Sequence, residues 1–160
     1  VKGIAIAIGT ALHTVFYGPL EAIGYTHPIH PILVHLTIGT IAAAFIFDYV
    51  GWIFRKPPLY TTARHNLVFA FPAFLLTGCV GLADWSANYQ VSSLDPASNP
   101  VMFAFGIKFL LSAALLLLFV LAYFLFKTKK EEHLSRHIVY LLLFLDVVGL
   151  GFFGGNIVYG

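Results

Sequence analysis

The sequence predicts an all-α integral membrane protein: a four-transmembrane-helix up-and-down bundle preceded by a short N-terminal interfacial or re-entrant segment. Three observations carry this reading. Of the 160 residues, 59% are hydrophobic and only 10% charged, against about 25% charged in ordinary soluble domains. Mean hydropathy is +0.88. The apolar residues also fall in four continuous runs, each near the roughly 20 residues that cross a hydrocarbon core about 30 Å thick. A spanning β-barrel would instead alternate apolar and polar positions.

Residues 1–27 are set apart from the membrane domain at 28–160. Lys2 precedes a short apolar run, but no A-x-A-like cleavage site leads into a polar mature domain. Gly3, Gly9, Gly18, Gly24 and Pro19 interrupt the pattern, so an interfacial or re-entrant stretch is expected. The first span is expected at 31–54, with Pro31 in a first helical turn where its missing N–H costs nothing. The second is expected at 62–85, capped by Thr61 and Thr62. The third is expected at 100–127 behind an Asn99 N-cap, and the fourth at 136–159.

Loop charge sets the expected orientation. Arg55, Lys56 and Arg64 follow the first span, and Lys127, Lys129, Lys130 and Arg136 follow the third. Such an excess marks the cytoplasmic side. Both termini are then expected on the outer, periplasmic side of a bacterial-type inner membrane. Tyr17, Tyr25, Trp85, Tyr89 and Tyr159 would anchor the outer boundary, and Trp52 and Tyr60 the inner one.

Composition also removes function classes. A formal net charge of +2 is too mild for a nucleic-acid binder. Cys79 is the sole cysteine, which excludes a disulfide framework or a thiolate cluster within the chain. No C-x-x-C-H, Rossmann, P-loop or triad motif is present, so a non-catalytic subunit is expected.

Ionisable groups within spans are where chemistry is expected, because hydrocarbon penalises them. By depth, one cluster holds His27, His30, His35, Asp84 and Lys108, and the other Asp48, Arg64, His65, His133 and His137. His65 and His137 both lie near the start of their helices. If they face one another across the bundle, they could hold a b-type haem between imidazoles. His35 is an alternative ligand, with Asp84 and Lys108 as supporting or ion-pairing groups. His27 and His30 each precede proline and are expected to shape the helix entrance. An Asp48–Arg64 pair and structural pairing of Lys108 and Asp146 are expected for the remaining charges.

The motifs HPIHPILVHLTIGTIAAAFIFDYVG, GLADW and GGNIVYG together resemble the four-helix membrane proteins of domain-of-unknown-function family 2231, over about 28–160. The resemblance implies that His35 is the histidine following the HP motif, Asp84 the acid ending the second span, and Gly154–Gly155 the terminal glycine pair. It also implies a membrane-bound redox protein with haem b as cofactor. The family's histidine near the start of the third span is absent from VMFAFGIKF. A haem at the outer position would therefore need a different second ligand.

The expectation is thus a small membrane subunit of a respiratory or photosynthetic electron-transfer assembly, embedded in lipid beside redox subunits. It would hold haem b, or contact a quinone or a chlorophyll-type pigment. A cofactor-free scaffold subunit of a larger complex is the alternative.

Overall fold

The computed structural model describes the backbone of residues 2–88, 100–127 and 134–159, and side chains within 7–85, 103–127 and 134–155. Five helices account for nearly all of it: α1 (Lys2–Ala22), α2 (His30–Ile53), α3 (Pro57–Asn88), α4 (Pro100–Lys127) and α5 (Leu134–Tyr159). Four stretches, His30–Ile53, Pro57–Trp85, Phe103–Lys127 and Leu134–Gly155, are long and apolar enough to cross a membrane. The all-helical, four-span reading therefore stands.

Two elements differ from the sequence reading. The N-terminal segment is one continuous helix of 21 residues despite its glycines. Pro19 lies in its last turn, so the missing N–H removes a single backbone bond. Helix α1 ends in a Schellman turn, with Tyr25 N–H donating to Leu20 C=O at 2.9 Å and Gly24 N–H to Glu21 C=O at 2.9 Å. Gly24 stands at φ 84°, where a Cβ would be strained.

Helix α3 starts at Pro57, five residues before the expected Thr62. Pro57 and Pro58 have the helical φ built in and need no N–H in a first turn. Thr62 is therefore not a cap, and its hydroxyl donates back to Pro58 C=O at 3.3 Å within the helix. Between α2 and α3 the chain closes a second Schellman turn, Lys56 N–H to Gly51 C=O at 2.9 Å, around Arg55 at φ 52°. Helices α2, α4 and α5 begin within two residues of expectation. The Asn99 cap lies outside the described residues.

The chain divides into two compact units, Val1–Thr37 with Pro72–Leu94, and Ile38–Phe71 with Asp95–Gly160. The first has a small core of Tyr17, Val80 and Ala83, flanked by Leu12, Phe16, Ile29 and Leu33. In the second, buried positions recur at three- and four-residue steps. They run Tyr60, Ala63, Leu67, Ala70 on α3, Leu115, Phe119, Ala122 on α4, and Tyr140, Leu143, Val147 on α5. That spacing puts each set on one helical face.

Candidate functional site

In the second unit, the buried stripe of α2 runs through Ile41 and Ala44 to Asp48, whose side chain is 0% exposed. Arg136, in the first turn of α5, donates to Asp48 Oδ1 from Nε at 3.3 Å and Nη2 at 3.1 Å. His137 donates from Nδ1 to Asp48 Oδ2 at 2.6 Å. Both carboxylate oxygens are thus used, by adjacent residues of one helix.

Aromatic rings enclose this ion pair. The Arg136 guanidinium lies 4.4 Å from the Tyr60 ring centroid, a cation–π distance. Trp52 stacks on the His137 imidazole at 4.8 Å, and the Tyr49 hydroxyl donates to His137 C=O at 3.4 Å. Tyr60 is buried rather than a boundary anchor, because it covers Arg136. Arg64 is not the partner of Asp48: its guanidinium lies over Phe126 at 5.9 Å. His137 Nε2 and Tyr140 Oη are buried without a hydrogen bond.

In the first unit a polar cluster joins α1, α2 and α3. Tyr17, expected at the outer boundary, is buried. Its hydroxyl accepts from Ile29 N–H at 3.0 Å and is hydrogen-bonded to Asp84. Tyr17 lies outside the four spans, and its phenol is pushed up to about 12 by burial first and by the Asp84 hydrogen bond second. Asp84 therefore meets α1, a segment the sequence reading kept separate.

His30 Nδ1 donates to Thr77 C=O at 3.2 Å. Its ring fills the notch left by Gly81, where a Cβ would stand 2.7 Å from the His30 Cε1. Beyond it, the Thr37 and Thr77 hydroxyls are 2.9 Å apart, while Thr37 donates to Leu33 C=O at 3.0 Å and Thr77 to Ala73 C=O at 2.7 Å. Two hydroxyl protons serve three contacts, so only two can be hydrogen bonds at once.

A third feature is an open groove of about 450 Å³ between α4 and α5, walled by leucines and by Asp146. Asp146 Oδ2 is buried and has no hydrogen-bond partner. The expected pairing with Lys108 is not made. Lys108 Nζ lies beside Gly154 and 6.0 Å from the Phe105 ring centroid.

The histidines expected to hold a cofactor are distributed differently from expectation. His35 is exposed, and its Nδ1 donates to Pro31 C=O on its own helix at 2.6 Å. It does not point inward beside Asp84, because position 35 lies off the buried face of α2. His65 is exposed, on the side of α3 away from Tyr60, Ala63, Leu67 and Ala70, whereas His137 is enclosed. The facing His65–His137 pair is thus not formed. With Nδ1 on Asp48 and Nε2 walled in, His137 does not fit as an axial ligand in this arrangement. Among the described residues, no three His, Cys, Asp or Glu side chains converge on a possible metal position.

Sequence reasoning missed the burial of Tyr17, the packing of His30 on Gly81, and Arg136 as the partner of Asp48. A model of the family described as "Predicted membrane protein (DUF2231)" matches residues 26–160. No curated protein and no solved structure matches the chain.

Proposed function

Because the chain belongs to the DUF2231 family of predicted membrane proteins, we propose that it is a small, non-catalytic membrane subunit of an electron-transfer assembly, with His35 offering a ring nitrogen to a b-type haem. One observation carries the haem assignment. His35 holds its Nδ1–H on the Pro31 carbonyl at 2.6 Å and is exposed. In the neutral imidazole this leaves the Nε2 lone pair free. Ligating histidines have this form: the far ring nitrogen is tied to a backbone or carboxylate oxygen, which fixes the tautomer and aims the other. A further ligand would come from a neighbouring subunit, and a bound haem would supply one-electron transfer. The basic loops favour an orientation with both termini on the outer side of an inner membrane.

A second reading, a cofactor-free structural subunit, is favoured by the Asp48 ion pair, which ties α2 to α5 and exposes no reactive atom. Reduced-minus-oxidised spectra of native membranes and of the purified assembly distinguish the two. Under the haem reading a b-type difference spectrum is present, His35→Leu removes it, and His65→Leu and His137→Leu retain it. Retention of the spectrum in a His35→Leu assembly of normal subunit content refutes the assignment. An assembly without a Soret band supports the structural reading.

A further inference from the structure

We propose that the groove between α4 and α5 seats a transmembrane helix of another subunit, one carrying a lysine or arginine that pairs with Asp146. Asp146 lies about 18 Å from the start of α5 and about 20 Å from its end, at about 1.5 Å per residue. It is therefore near mid-membrane, where an unpaired carboxylate is penalised and marks a functional contact. Its Oδ2 is buried with no hydrogen bond, in a groove whose other walls are apolar. Of the basic residues on these two helices, Lys108 is turned to Gly154 and Arg136 is held by Asp48.

The shape of the groove indicates a helix. Ala114, Leu118 and Leu121 on α4 stand four and three residues apart, and on α5 Leu145 and Asp146 stand three and four residues after Leu142. Side chains at these steps form the holes that receive the knobs of an adjacent helix. The α4 wall extends about 10 Å, two helical turns. Leu145 is 54% exposed and Leu117, on the same rim, 70%. Charge complementarity selects the occupant. A helix of apolar residues with one basic side chain at mid-depth satisfies both the leucine walls and the carboxylate, and each charge then removes the other's cost.

The proposal does not depend on a haem at His35, since its test is read without any cofactor. The 160-residue chain is labelled and reconstituted in phosphatidylcholine vesicles with a synthetic polyleucine helix carrying one central lysine, or with the same helix lacking it. Energy transfer reports association. The lysine helix is expected to bind at least about tenfold more tightly than the plain one, and this preference is expected to vanish in Asp146→Leu and to fall in Asp146→Asn. Equal binding of the two helices, or a preference surviving Asp146→Leu, overturns the proposal. So does Asp146-dependent self-association that excludes the lysine helix, which would make a second copy the occupant. In native membranes, a photo-crosslinker at Leu145 is expected to reach a transmembrane segment of a different protein with Lys or Arg at mid-depth. Crosslinks to lipid alone, or to a segment without such a residue, also overturn it.

Discussion

Replacing Asp48 with leucine removes the acceptor of three hydrogen bonds, two from Arg136 and one from His137. Taking one partner from a buried ion pair costs about 3–5 kcal/mol, because the other charge is left uncompensated. The unaccepted His137 N–H adds about 1–3 kcal/mol. Arg136 retains 10% side-chain exposure and Tyr60 still lies against it, so the guanidinium can relax toward solvent. The lower part of the combined range, about 4 kcal/mol, is expected, or roughly a thousandfold in the unfolding equilibrium. Unfolding by SDS in mixed micelles, followed by tryptophan fluorescence, measures this. Trp52 reports directly, since it stacks on His137. The double variant Asp48→Leu/Arg136→Met decides the cause. Apolar replacement of a whole buried pair is often neutral or stabilising, so the double variant should be more stable than Asp48→Leu, with a coupling of about 2 kcal/mol or more. Additive losses, or a single-variant loss below about 1 kcal/mol, would refute the ion-pair account.

Tyr17→Phe should destabilise by about 1–3 kcal/mol, since it deprives Ile29 N–H and Asp84 of their shared partner. The folded phenol titrates near 12 against a reference of 10.0. Its contribution is therefore fully present below about pH 10 and is lost as pH rises through about 12, so the penalty should be constant across neutral pH in denaturation series. Gly81→Ala places a methyl carbon 2.7 Å from the His30 Cε1 and should cost about 1–3 kcal/mol by thermal melting in detergent. The combined His30→Ala/Gly81→Ala variant should recover part of that loss. For topology, cysteines at Ser93 and Lys129 should react with an impermeant thiol reagent from opposite sides of the membrane, and labelling from one side would remove the proposed orientation.

The spans were legible because length and hydropathy suffice to find them, and α4 begins and ends where expected. Facing was harder, because a helix apolar on every side carries no amphipathic stripe. One clue was nonetheless present in α2. Asp48 must lie inward, and stepping back by threes and fours from it gives Ala44, Ile41, Thr37, Leu33 and His30. Ile41, Ala44 and Thr37 are buried, and His30 is packed against Gly81. The same count leaves His35 outside. Depth alone also misassigned the partner of Asp48, since Arg64, His65 and His137 all qualified by level, and Arg136 was counted with the loop charges. Nothing in the single chain marked Tyr17 as buried. Its burial depends on α1 packing against α3, a contact that leaves no local pattern.

Asp48 and its counter-charge are 88 residues apart in the chain, which bears on biogenesis. At translation rates of about 5–20 residues per second, roughly 4–18 s separate the synthesis of α2 from that of Arg136. During that interval the carboxylate is in a nascent helix with no guanidinium yet made. Its position makes the delay tolerable: only five residues from the end of α2 at Ile53, it lies about 8 Å along the axis from that terminus. A carboxylate that shallow can stay hydrated at the headgroups until α5 is inserted. Closing the ion pair then becomes a later assembly step, one that locks α2 to α5 and must wait until α5 has been made.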